Sequence, residues 1–161
     1  MQCDDAKKSQ EIYKHIENIG LCRSTWRLRL FVMAQCPVVF KDELKDAFYK
    51  LFDNPENYYE IISGAEYKKA LQGAFPVDYG SDYVKKVLEY FSKLAEKHPD
   101  QAWHKRNGWE ILSSICESLT GAEQQQCEEK FGSKCDAEYV PEPVFSGVRS
   151  GSVSHRAPDD I

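Results

Sequence analysis

Apolar residues recur at helical spacing through most of the chain, and the polar and breaking residues between them mark where each helix stops. Asp4 to Ile19 carries Ala6, Ile12, Tyr13, Ile16 and Ile19 on one face and reaches Gly20, which predicts a first helix capped at that glycine. Trp26 to Phe40 differs: Leu28, Leu30, Phe31, Val32, Met33 and Ala34 go most of the way round a cylinder, where an amphipathic surface helix shows a stripe about 100° wide. This predicts a central helix, capped by Ser24 and ended by Pro37, that other helices must cover. Behind Asp42, the residues Leu44, Ala47, Phe48, Leu51 and Phe52 form the cleanest amphipathic pattern, which stops at Asp53-Asn54-Pro55.

Ser63-Gly64-Ala65-Glu66 and Thr120-Gly121-Ala122-Glu123 both have capping-box spacing, in which the hydroxyl accepts an amide hydrogen three residues on and the carboxylate accepts one in return. The first opens a helix through Tyr67, Ala70 and Leu71 to Gly73. Ser81 opens the longest amphipathic helix, with Val84, Val87, Leu88, Phe91, Leu94 and Ala95 inward and His98-Pro99 at its end. A polar link holding Trp103 is expected up to Asn107-Gly108, then a buried stripe of Leu112, Ile115, Cys116 and Leu119. The last helix runs from Thr120 through Cys127 and Phe131 to Gly132. Beyond it Pro, Ser and Gly dominate and no period survives. The expected organisation is therefore a helical domain over 1–136 and an extended or disordered tail over 137–161. The fold class is all-α, a single domain of about six or seven helices around the central apolar one.

Composition narrows the function by exclusion. Net charge is -5 with lysines and acids interspersed, unlike the phosphate-tracking faces of nucleic-acid binders. The central apolar run is about 13 residues and broken by Pro37, short of the roughly 18 to 20 that span a bilayer, so no transmembrane segment is expected. Cys3, Cys22, Cys36, Cys116, Cys127 and Cys135 form an even set without C-x-x-C or Cys/His zinc spacing, which favours disulfides over thiolate metal sites. That places the chain in a disulfide-permissive compartment (secreted, periplasmic or mitochondrial intermembrane space), with the cytosol still open. On one helix Cys22 and Cys36 lie about 20 Å apart and cannot bond to each other, so either each reaches a different neighbour and ties the central helix at both ends, or both are free thiols. The short turn at Thr120 ranks Cys116 with Cys127 as the first pair, leaving Cys135 to turn towards Cys22, Cys36 or Cys3.

Candidate chemistry is sparse. His15, His98, His104 and His155 are scattered, and only His98 and His104, near Glu96 and Asp100, can approach one site. No G-x-S-x-G, H-E-x-x-H, P-loop or dinucleotide glycine pattern occurs, so no catalytic residue, cofactor or enzyme activity is expected. The stretch from the helix ELKDAFYKLF through Asp53 to Ile62-Ser63-Gly64-Ala65-Glu66 resembles an EF-hand, and its 14-residue span from Asp53 to Glu66 is similar to the variant first loop of S100-type proteins. The resemblance implies calcium binding through Asp53 and Glu66, with Pro55 and Tyr58 standing where the family has an oxygen ligand and a turn glycine.

Nine Tyr and eight Phe supply a helical core with some to spare, and Tyr58, Tyr59, Trp103 and Phe145 are the candidates for partner contacts. The function these features support is a non-enzymatic interaction protein or accessory subunit, binding another protein or assembly, in part through the C-terminal tail. Second is a carrier of a small apolar ligand, since insect odorant carriers also pair six cysteines, although the 13 residues between Cys22 and Cys36 depart from their close second and third cysteines. Calcium binding is third.

Overall fold

The computed structural model describes residues 3–20, 22–53, 65–74 and 80–141. Among them are seven α-helices: α1 (Cys3–Ile16), α2 (Arg23–Gln35), α3 (Lys41–Tyr49), α4 (Ala65–Ala74), α5 (Gly80–Lys97), α6 (Trp103–Ser113) and α7 (Gly121–Phe131). Single 3-10 turns follow α3 at Lys50–Phe52 and α6 at Cys116–Ser118. No described residue is in a strand, so the protein is all-α and its helices pack as one body.

Two helix groups share one core. In the first, α2 packs on α1, α3 and α4; in the second, α5, α6 and α7 pack on one another. Their seam is aromatic. Tyr67 from α4 and Tyr83 from α5 are fully buried, and a buried hydroxyl without a partner carries a desolvation penalty. Both are satisfied: the hydroxyls lie 2.7 Å apart and that of Tyr67 donates to the Phe48 carbonyl at 3.0 Å. The Phe48 and Tyr67 rings meet edge to face at 5.4 Å, so α3, α4 and α5 are registered by one polar contact inside an apolar packing.

The central helix is not wrapped. Trp26, Leu30, Val32, Met33 and Cys36 are buried, but Leu28 is 44% and Phe31 56% exposed. The apolar residues that go round the cylinder do so because one stripe faces the core and a second faces outward, where α1, α3 and α4 do not reach.

Local ends depart from the expected residues for definable reasons. α1 stops at Ile16, and its open carbonyls are taken by the Arg29 guanidinium of α2, which donates to Ile16 O at 2.9 Å and Ile19 O at 2.7 Å, so Gly20 is not the cap. α2 begins one residue before Ser24, with Cys22 as the N-cap and its amide donating to Thr25 Oγ1 at 2.9 Å. α5 begins at Gly80, which puts Ser81 inside the first turn. Thr120 and Glu123 do form the capping box, at 3.3 Å and 2.8 Å, and Gly132 closes α7 at φ 85°, a left-handed conformation that glycine adopts without penalty. The link expected through Asn107-Gly108 is helix. A Cβ at Gly108 would lie 2.5 Å from the Phe131 ring, so the glycine that weakens α6 by propensity is what lets α7 pack against it. α6 ends at Ser113, which splits the stripe that runs on to Leu119 between a helix and a 3-10 turn.

After Gly132 the chain runs back along α6. Trp109 Nε1 donates to the Lys134 carbonyl at 2.6 Å, Asp136 N donates to Ser113 Oγ at 3.1 Å, and Tyr139 meets the Trp109 ring edge-on at 5.6 Å. Gln72 of α4 donates to Tyr139 O at 3.0 Å, so this strap connects the two helix groups from outside.

Candidate functional site

The outward stripe of α2 is one wall of a surface groove of about 380 Å³, lined by Ser24, Arg27, Leu28 and Phe31 and closed by Glu66 of α4. Positions 24, 27, 28 and 31 are three and four residues apart, which sets them on one helix face. Arg27 crosses to α4 with a fork: Nε donates to Glu66 Oε2 at 3.1 Å and Nη2 to Oε1 at 3.0 Å. Partial burial pushes the Glu66 carboxyl up, but the guanidinium outweighs it and holds the group below the usual carboxylate range. The wall is thus ionised on both sides and neutral as a whole. A groove with Leu28 and Phe31 bare and Arg27 paired with Glu66 can bind apolar surface; among the described residues its lining holds no cysteine, histidine or lysine.

Glu66 is also the final acid of the EF-hand-like stretch, and here both of its oxygens accept from Arg27. Asp53 is exposed at the turn after α3, and the residues between, 54–64, lie outside the described ones. Among the described residues no group of three or more His, Cys, Asp or Glu is arranged to hold a metal ion. His98 and His104 do come together, their rings stacked at 5.5 Å, with Trp103 packed on His104 at 3.9 Å. Burial of His104 pushes its imidazole below the ordinary value and His98 adds to that, and Trp103 beside it is half-buried. Tyr58, Tyr59 and Phe145 lie outside the described residues.

The cysteines correct the expected cross-linking. No disulfide is shown among the described cysteines, and Cys36, Cys116, Cys127 and Cys135 are free thiols. Cys36 is buried, its sulfur 3.6 Å from Ser9 Oγ on α1, so it does not tie α2 covalently to a neighbour; Cys22 is exposed, with its sulfur 3.6 Å from Thr25 Oγ1. Cys116 and Cys127 do sit at one corner, as the hairpin requires. Cys135 sits on the strap, whose residues 133–136 lie against α6 and α7, so it is held at this end of the hairpin and does not turn towards Cys22 or Cys36.

Two further charged contacts were not legible in the pattern. Lys68 of α4 and Glu110 of α6 are both more than nine-tenths buried and form an ion pair between the helix groups, and Arg106 Nε donates to the other Glu110 oxygen at 2.9 Å. Burial raises the Glu110 pKa, and Lys68 and Arg106 together bring it below the ordinary value. The only sequence signals were Lys68 falling between Tyr67 and Ala70 on the inward face of α4, and Arg27 inside an apolar run.

No family model matches the chain, and no curated protein or solved structure matches it.

Proposed function

We propose that the protein is a non-enzymatic helical interaction protein, an accessory subunit that seats one amphipathic helix of another protein in the groove between α2 and α4. The observation that carries this reading is the outward pair Leu28 and Phe31, 44% and 56% exposed beside a salt-bridged, neutral rim. Apolar side chains this exposed, one turn apart and bordering a groove, match the helix-in-groove mode, in which a partner contributes apolar residues at i, i+3 or i+4. The groove's volume of about 380 Å³ argues for a single inserted helix and not a domain-to-domain face, which buries about 800 Å² per partner. Because Arg27 and Glu66 neutralise each other, the preferred partner helix is uncharged on its inserted face.

The even set of six cysteines favours a disulfide-permissive compartment, and the free thiols of Cys36, Cys116, Cys127 and Cys135 fit the cytosol equally. A second reading, a carrier of a small apolar ligand, is favoured by the groove volume of about 380 Å³, within the range of small-molecule sites.

The test replaces Phe31 with a photoreactive phenylalanine analogue in the native source, with the same analogue at exposed Lys93 of α5 as control. A discrete protein adduct from position 31 and not from 93, whose purified partner then binds the unlabelled chain, supports the interaction reading. Adducts of lipid mass support the carrier, and equal labelling from both positions removes the groove from the account.

A further inference from the structure

The strap carries the chain towards the groove. From α7 it runs along α6 through the contacts of Trp109 with Lys134 O and of Asp136 N with Ser113 Oγ, and it reaches α4 where Gln72 donates to Tyr139 O at 3.0 Å. On α4, Glu66 turns to Arg27 of α2, and Lys68, about 200° further round the helix, turns to Glu110 of α6, so α4 stands between the two. A chain that crosses from α6 to α4 is therefore carried towards α2. Pro141 is buried, which holds the strap against the body up to the last described residue; residues 142–161 lie outside the described ones. Gln72 and Glu66 are six residues apart, about 9 Å along α4. Six residues of extended chain beyond Tyr139 span about 20 Å, so Phe145 reaches the groove that Glu66 closes with length to spare.

We propose that Val144 and Phe145 of this chain occupy the groove between α2 and α4 when no partner does, so that the protein's own tail competes for the docking surface, a role that rests on the reading of that groove as a docking site. Within 142–161 these two are the one adjacent pair of large apolar side chains. Leu28 and Phe31 are the exposed apolar surface they meet, and Val144 to Val148 carries no charge, which suits a rim where Arg27 and Glu66 neutralise each other. Pro141 and Pro143 favour an extended path, so docking orders less chain freedom. Tethering adds to this. A segment joined to its site by a few residues meets it at an effective concentration in the millimolar range, so a contact too weak to hold two separate molecules is populated within one. A partner helix must displace the pair, and its apparent affinity falls in proportion to the fraction of chains whose groove is open.

The experiment places the photoreactive phenylalanine analogue at position 31 of the purified full-length chain, irradiates it in dilute solution without a partner, and maps the adducts by mass spectrometry. The expected product has monomer mass and joins position 31 to the peptide that holds Val144 and Phe145, at a yield that drops at least about tenfold in Val144→Asp/Phe145→Asp. Adducts of dimer mass, an adduct to another segment, an undiminished yield in the double variant, or reaction with solvent alone would each overturn the assignment. The map of the unsubstituted tail is decisive by itself, whatever the double variant does to folding. Capture of a discrete partner from position 31 in the native source, beside no tail adduct in the purified chain, removes the tail from the groove and leaves the docking reading standing. Equal labelling from positions 31 and 93 removes the docking reading itself.

Discussion

α2 and α5 are both rich in large apolar residues, and they use them differently. On α5 the inward positions Tyr83, Val84, Val87, Leu88, Phe91 and Ala95 are buried and Leu94 is partly so, and the opposite face is mostly lysine and glutamate. The period of α5 is fully accounted for by the core. On α2 the core takes Trp26, Leu30, Val32 and Met33 and leaves Leu28 and Phe31 outside. Apolar residues in excess of what the neighbouring helices cover are what the proposed binding role rests on, since folding alone does not require them.

Substitutions should separate the two helices cleanly. Phe91→Ala on α5 should destabilise by about 3–5 kcal/mol in urea unfolding, because it opens a cavity in a filled core. Glu110→Gln should cost a similar or slightly smaller amount, roughly 3 kcal/mol, because it leaves Lys68 buried between the helix groups without its counter-ion. Glu110 also sets a pH dependence. Its folded pKa lies below the ordinary 4.5, so its contribution is complete above that value and is lost as pH falls through the lower folded pKa; the Gln variant should lack that part of the acid slope. Gly108→Ala should cost about 1–3 kcal/mol although alanine is the better helix former, since the Phe131 ring must move. Phe31→Asp, the smallest effect, should change stability by less than about 0.5 kcal/mol; a loss comparable to Phe91→Ala would mean the outer face of α2 is structural after all.

The helices were legible where periodicity was clean, as in α3 and α5, and where both caps held, as in the Thr120-to-Gly132 helix. Gly108 misled because propensity describes an isolated helix, and the Phe131 ring that requires a glycine is more than twenty residues away. Gly20 misled for a related reason: the α1 carbonyls are met by Arg29, a long-range partner that no local motif encodes. The expected wrapping of α2 failed because apolarity all round shows that two faces are apolar and is silent on whether both are covered. The sulfur corner was half legible. A short hairpin turn puts Cys116 near Cys127, whereas the place of Cys135 depends on the strap returning along α6 through Trp109.

The groove account is tested most directly by the affinity of the chain for the partner captured at position 31, measured by calorimetry for wild type and for Leu28→Asp/Phe31→Asp. Burying what remains exposed of two large apolar side chains contributes about 1–2 kcal/mol each, so the double variant should bind at least about tenfold more weakly with its unfolding midpoint unchanged. Equal affinity with an unchanged midpoint would contradict the assignment of the α2 face as the docking surface.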